Sequence, residues 1–465
     1  MRGSVKLMKT LYILVILVFM LFFSSVAGDS IVQTMPPESI SSDLLKENEF
    51  LLSSYGENAT IYLYRSLIYY NERQFEAALE AARYSQQFED TQQAWQLIGM
   101  SSAHLGNYQA AVDAFARVVW VRPEDPVARN MHAVSLTQIG EGRAAIEEFN
   151  NAISLDSKYA AAYNNRGVAQ YILKDYGSAE SSLKKAVQLD PESSIYYGNL
   201  AWVYFARGDL KRADRAVRDA RVLDYTDPFP YFISGNVAFH KEQYQLAYYS
   251  YQSGFGQLAE TNQWYYVGVS KFSEVLNRRG ADVVDSYYKS VSSDVQYRGT
   301  WDRTTVVEYK IKRYEQSLSA EYDKILLIEP DYATIWMQFG YSAIQLGKYP
   351  EALNAYNEAL KLDPQNIEAR IGYAHVVGKG GDYIQAMEIL DDILGGHPDN
   401  AWGYYSRGEV QLAYGKYDEA KSDLTKAIQT GYSKPAVYSS FEKIAAVTEN
   451  QLLQTYYALR CLLAI

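Results

Sequence analysis

Apolar and small residues recur at a fixed spacing over most of this chain. From residue 59 onwards, helical patterns of apolar positions alternate with short turns, and the whole pattern repeats about every 34 residues. One register consists of Trp95, Gly99, Tyr108, Ala111, Phe115 and Pro123. The same classes of residue return, after further shifts of 34, at Tyr163, Gly167, Ala179, Leu183 and Pro191, and later at Trp336, Gly340, Ala352, Tyr356 and Pro364. Nine repeats start near residues 59, 92, 126, 160, 194, 228, 333, 367 and 401.

Each repeat predicts two antiparallel helices. In the repeat that starts at residue 92, the pattern predicts helices over 93–104 and 109–121, with Gly106-Asn107 as the turn between them. Pro123 ends the second helix because its ring and missing N–H do not allow the helix to continue. Gly99 and Ala111 are small and let the two backbones approach closely. A lone helix pair cannot bury such a face, so we expect neighbouring repeats to stack.

These small, aromatic and proline positions resemble those of the tetratricopeptide-repeat (TPR) family, over roughly residues 59–434. The resemblance implies an all-α fold, a right-handed superhelical solenoid of antiparallel helix pairs. It also implies that a partner's peptide lies in the concave groove, which the first helices of the repeats line.

The first residues are typical of an export signal. Arg2, Lys6 and Lys9 precede an apolar run over 11–23, and Ser25-Val26-Ala27 places small residues where a signal peptidase cleaves. We therefore predict a signal peptide over 1–27. The alternative is an uncleaved anchor that tethers the protein to a membrane through residues 10–28, since the uncharged stretch is almost long enough to span one. Either reading predicts a protein that is secreted or anchored to the extracytoplasmic face of the membrane.

The remaining boundaries follow the repeats. We expect a tether and a short helix over 28–58, a first array of six units over 59–261, and a second array of three units over 333–434. The stretch 262–332 departs from the pattern and predicts two degenerate units, the second with a helix that ends at Pro330. Capping helices are predicted over 435–465. Their apolar end suggests a homo-oligomer contact, a surface that docks on a membrane or a partner, or a helix that folds back on its neighbour.

Composition and motifs exclude several functions. The net charge is −11 over 465 residues, which disfavours nucleic acid as a partner. Cys461 is the single cysteine, so no internal disulfide forms, and no histidine has a second histidine or cysteine at metal-ligand spacing. Common catalytic motifs are absent, and the repeats leave no room for a catalytic domain. We therefore expect no enzyme activity, no metal and no cofactor.

The groove positions are rich in aromatic rings and amides. The register places the following candidate peptide-binding residues on first helices: Asn164, Tyr171, Trp202, Phe205, Phe229, Phe232, Asn236 and Phe239. The alternative for each ring is packing between adjacent helices as core. Asn165 and Asn199 occupy equivalent positions and resemble the asparagine ladder with which some family members grip a peptide backbone. One side-chain amide can donate to a backbone and accept from it at the same time.

Three functions are compatible with these features. The first is a non-enzymatic scaffold that binds a peptide or helix of a partner protein outside the cytoplasm. The second is a cell-envelope carbohydrate-binding protein, because exposed aromatic rings stack on sugar faces. The third is a structural, self-assembling subunit, which the apolar C-terminus suggests.

Overall fold

The computed structural model describes residues 45–46, 48–50, 52–53, 56–260, 326–432, 434–448, 453–454, 456–458 and 460. Within these ranges the chain forms helices and turns and no strand. The all-α solenoid of sequential antiparallel helix pairs is thus confirmed. The predicted signal or anchor over 1–27, most of the tether, residues 261–325 and Cys461 lie outside the described residues.

The helices of the first six repeats follow one another in pairs. Their bounds are α1 Ala59–Asn71, α2 Phe75–Phe88, α3 Gln92–His104, α4 Tyr108–Val121, α5 Pro126–Gln138, α6 Gly142–Leu155, α7 Ala160–Ile172, α8 Tyr176–Leu189, α9 Ser194–Ala206, α10 Leu210–Leu223, α11 Phe229–His240 and α12 Tyr244–Glu260. The last three repeats and the terminal helix are α13 Tyr332–Gln345, α14 Tyr349–Leu362, α15 Ile367–Lys379, α16 Tyr383–Gly396, α17 Ala401–Ala413, α18 Tyr417–Gln429 and α19 Pro435–Val447. The first helix of every pair begins within one residue of a predicted repeat start.

Local chemistry explains where the helices begin and turn. Asp125, Asn366 and Asn400 each precede a first helix and accept a hydrogen bond from a backbone N–H of its first turn. Gly106 has a φ of +75° in the turn between α3 and α4, which only glycine adopts at little cost.

The two helices of a pair contact each other through small residues, as the sequence predicted. A methyl group built on Gly99 would lie 2.8 Å from the Phe115 ring of the opposing helix. The equivalent methyl on Gly167 would lie 2.7 Å from Leu183. No real Cβ atom tolerates such distances, so a larger residue would push the helices apart.

The chain divides into two compact units, up to Leu97 and from Ile98, with the boundary inside α3. In the first unit, the helical residues around Asn48 pack on α1. The buried Asn48 side chain donates to the carbonyl of Ile61 over 2.9 Å, and its oxygen accepts from Arg65 Nε over 2.8 Å. A buried amide that is bonded on both sides fixes this helical stretch in one position.

In the second unit, α12 of the sixth repeat packs directly against α13. The rings of Phe255 and Trp336 stack with centroids 3.5 Å apart, and Tyr248 lies 5.0 Å from Phe339. The two degenerate units predicted over 262–332 fall largely outside the described residues and stay a prediction. Residues 326–330 are described and are not helical, so the prediction of a helix ending at Pro330 is wrong.

The C-terminal helical residues contact α19. Tyr457 stacks on Phe441 with centroids 4.9 Å apart, and Arg460 donates to the Tyr438 hydroxyl over 3.0 Å. The homo-oligomer contact predicted for this end stays a prediction. Among the described helices, none combines the length and the apolar character that crossing a membrane requires.

Candidate functional site

A hydrogen-bonded row of asparagines crosses the first helices of three successive repeats. Asn130 lies on α5, Asn164 and Asn165 on α7, and Asn199 on α9, and all four are buried. Asn165 Nδ2 donates to Asn130 Oδ1 over 3.1 Å, Asn164 Nδ2 donates to Asn165 Oδ1 over 3.1 Å, and Asn199 Nδ2 donates to Asn164 Oδ1 over 2.8 Å. We call these four residues the amide row.

The amide row binds the main chain of residues 326–328. The Leu326 N–H donates to Asn165 Oδ1 over 2.6 Å, and the Ile328 N–H donates to Asn199 Oδ1 over 2.8 Å. The Leu326 carbonyl accepts from Asn164 Nδ2 over 2.9 Å and from Asn199 Nδ2 over 2.8 Å. Alternate residues of the segment face the row, as they do in an extended chain. The asparagines therefore bind a backbone much as a neighbouring strand would, and here the backbone is the protein's own.

The segment fixes the orientation of the amides. A backbone N–H can only donate, so the atoms that accept from Leu326 and Ile328 must be the oxygens of Asn165 and Asn199. Asn165 Nδ2 then needs an acceptor, which is Asn130 Oδ1. Consequently Asn130 Nδ2 is a buried donor at the end of the row, and it has no hydrogen-bond partner among the described residues.

Apolar side chains surround the bound segment on two sides. Leu326 and Ile328 belong to the buried cluster that contains Trp202, whereas Leu327 belongs to a second cluster with Phe229. Leu326, Leu327 and Ile328 are 1%, 7% and 4% exposed, which is the burial of a protein core. Glu329, by contrast, is more exposed. The site thus accommodates three consecutive apolar residues, and the fourth side chain is only partly exposed, because its surroundings desolvate the Glu329 carboxyl and raise its pKa.

The predicted binding residues fall into two groups. Asn164, Asn165 and Asn199 bind residues 326–328, and Trp202 and Phe229 belong to the same buried clusters as these residues. Tyr171 and Phe205 are half-buried and pack against the same cluster as Trp202. Trp202 and Phe205 meet edge to face with centroids 6.1 Å apart, and the Trp202 indole N–H has no partner among the described residues.

Phe232, Asn236 and Phe239, on α11, instead lie where α11 and α12 meet α13. Phe232 is fully buried and lies 5.0 Å from Phe255 and 5.7 Å from Tyr332. The Tyr251 hydroxyl is 2.8 Å from Asn236 Oδ1 and 2.6 Å from Gln338 Oε1. Phe239 is half-buried, and its ring lies 5.6 Å from that of Tyr341. These three side chains have structural partners, and their role in binding another protein stays a prediction.

Two features of the site were not among the predicted residues. Asn130 lies 34 residues before Asn164, so the repeat register contained the signal that places it in the row. The bound segment had no such signal, because an apolar run with Leu326, Leu327 and Ile328 is equally typical of a helix within a repeat.

A second buried polar cluster lies between α15, α17 and α19. Lys379 Nζ is 2.7 Å from Glu409 Oε2, and Ser440 donates to the other oxygen of Glu409. Burial alone would raise the pKa of Glu409, but the Lys379 ammonium and these hydrogen bonds bring that pKa below its ordinary value. Burial lowers the pKa of the adjacent His375 to about 4, so this imidazole is neutral near pH 7. Because this cluster joins three helices and its Glu409 and His375 side chains are buried, we interpret it as structural.

The described residues contain no group of His, Cys, Asp or Glu side chains that could hold a metal ion. The repeats present a row of amides and a set of apolar surfaces. That arrangement suits the binding of a polypeptide.

Comparison with known proteins identifies the repeats. The tetratricopeptide repeat is matched at residues 92–125, 160–193 and 343–402, and a TPR repeat at residues 135–174. The chain therefore contains tetratricopeptide repeats, which generally act as protein-interaction modules and not as enzymes.

Similar proteins share only part of their length with this chain. Superkiller protein 3 of Schizosaccharomyces pombe is 26% identical over 180 residues, which are 37% of this chain and 12% of that protein. DnaJ homolog subfamily C member 3 of Rattus norvegicus is 21% identical over 171 residues, 33% of this chain and 34% of that protein. The chain thus matches only 12% and 34% of the length of these relatives. The crystal structure of a tetratricopeptide repeat protein from Parabacteroides merdae aligns with 66% of this chain and 93% of its own, with 14% identity and a TM-score of 0.37.

Proposed function

We propose that this protein is a non-enzymatic scaffold that holds an extended segment of a partner protein against the amide row. One observation carries the proposal: Asn164, Asn165 and Asn199 already bind a main chain through four hydrogen bonds. Backbone hydrogen bonds provide affinity, and the apolar surfaces around Trp202 and Phe229 provide selectivity for side chains. Stacked repeats preorganise both, so that binding does not have to order the receptor.

The proposal includes a place of action outside the cytoplasm. The positive residues, apolar run and small residues of 1–27 support export, either as a released protein or as one tethered through residues 10–28. Mass spectrometry of the N-terminus of the native protein tests this part. A chain that begins at Gly28 means release, a chain that retains residues 1–27 means a tether, and recovery from the cytoplasm contradicts export.

Capture of the native partner tests the binding function. The wild-type protein, the double variant Asn165→Ala/Asn199→Ala and the control Asn354→Ala are purified from the native cells after mild crosslinking. Asn354 is exposed on α14, outside the amide row, so its substitution leaves the site intact. We expect one reproducible partner with wild type and control that the double variant loses. A partner retained by the folded double variant would contradict binding at the amide row.

A further inference from the structure

Residues 326–328 and neighbouring asparagines together occupy the side-chain amide hydrogens of Asn164 and Asn199. Asn164 Nδ2 and Asn199 Nδ2 have two hydrogens each, and all four are used, toward neighbouring amides and the Leu326 carbonyl. Asn165 Oδ1 accepts from both Asn164 and Leu326. A second main chain could not bind these atoms while the segment is in place.

The apolar surfaces are filled in the same way. Leu326 and Ile328 contact the cluster around Trp202, and Leu327 contacts the cluster around Phe229, so an incoming side chain finds these positions taken. A partner that uses the amide row must therefore displace the segment. The segment excludes a second chain because it occupies both the space and the hydrogen-bonding atoms of the site, and this holds for any partner sequence.

We infer that Leu326–Ile328 is a built-in competitor for the amide row, and that the protein's partner is an extended segment with three consecutive apolar residues that displaces it. The inference rests on the proposed function. The fourth side chain of that segment can be polar, since the polar Glu329 occupies this position in the protein's own segment. The partner's chain runs from Asn165 toward Asn199, as the protein's own does. Beyond Asn165 lies Asn130, whose buried Nδ2 has no hydrogen-bond partner among the described residues and would donate to a carbonyl of a longer partner segment.

The attachment of the segment makes it an effective competitor. Asp331 accepts from the Thr334 N–H and caps α13, so only Glu329, Pro330 and the capping Asp331 separate Ile328 from a fixed helix. A short connection of this kind keeps the segment at a local concentration on the order of millimolar. The partner's apparent affinity is reduced by the fraction of molecules in which the segment is displaced. Release of the segment should therefore raise affinity without any change in the groove.

A peptide with the sequence of residues 322–332, added in trans, tests the inference. Its fluorescein conjugate is titrated into the full chain and into the released variant Leu326→Ser/Ile328→Ser, which keeps the backbone but weakens burial of the segment. The variant Ile328→Pro, which removes the N–H that Asn199 accepts, serves if the double variant does not fold. A peptide with serine at the positions of Leu326 and Ile328 is the control probe. Circular dichroism and thermal unfolding confirm that each protein is folded.

We expect the released variant to bind the peptide at least tenfold more tightly than wild type, and to lose this binding when Asn199→Ala is added. Equal affinity of wild type and released variant would overturn the inference and leave the proposed function standing, because the groove would still bind a peptide. Absence of binding to a folded released variant would also overturn the inference. The proposed function is then decided separately by whether the native partner is lost from the amide-row double variant.

Discussion

Asn199 is the residue on which the bound segment depends most. Its side chain donates to the Leu326 carbonyl and to Asn164 Oδ1, and it accepts from the Ile328 N–H, each over 2.8 Å. Replacement by alanine removes all three hydrogen bonds. The Leu326 carbonyl keeps its bond from Asn164, but the Ile328 N–H and Asn164 Oδ1 are left buried without these partners.

The size of the effect follows from these two groups. A buried polar group that loses its partner costs about 1–3 kcal/mol, so Asn199→Ala should destabilise the closed site by about 4 kcal/mol in total. The segment can avoid this cost by leaving the groove, because water then forms a hydrogen bond with the Ile328 N–H. We therefore expect the loss to appear as local opening of residues 326–328, by a factor on the order of 1,000, and much less as a change in global unfolding.

Hydrogen exchange measured by mass spectrometry, on a peptide that covers residues 326–328, is the direct assay. Exchange of the Ile328 amide should accelerate strongly in Asn199→Ala and stay unchanged in the control Asn354→Ala. Urea unfolding of the same proteins reports the global stability. Exchange at Ile328 within threefold of wild type would refute the reasoning, since the segment would then be held by something other than the amide row.

Two further predictions concern packing and pH. A methyl on Gly372 would lie 2.1 Å from the buried Tyr356 ring, so Gly372→Ala should lower stability by about 1–3 kcal/mol in urea unfolding, whereas Gly395→Ala, with no neighbour within 4 Å, should not lower it. His375 binds a proton near pH 6.5 when unfolded but only near pH 4 when folded, so stability should fall by about 2 kcal/mol from pH 7 to pH 5. His375→Gln should reduce this dependence of stability on pH. An unchanged dependence would mean that a group other than His375 causes it.

The helices were predictable because their signals are local. Gly99, Ala111 and Phe115 lie on the two neighbouring helices of a single repeat, and equivalent positions recur in later repeats. The starts of the first helices could therefore be predicted to within a residue from the periodicity and the turn residues. Asn165 and Asn199 were also recognised, because they occupy matching positions of adjacent repeats. The location of the aromatic rings was harder to predict. An aromatic residue on a first helix fits the repeat pattern if it faces the groove, and it fits equally if it faces the core, as Phe232 does.

Sequence by itself determined the all-helical class, the repeat length and the location of the amide row, because each of these depends on residues within one or two repeats. Only the tertiary structure decided what the amide row binds. Leu326 lies 162 residues from Asn164 and 127 from Asn199, and no periodic pattern connects positions so far apart. The contact arises because α13 packs directly on α12. This packing places residues 326–328, which precede α13, against the first helices of earlier repeats. An apolar run that locally suits a helix thus becomes an extended segment, since the asparagines offer its backbone the partners that a helix would have supplied.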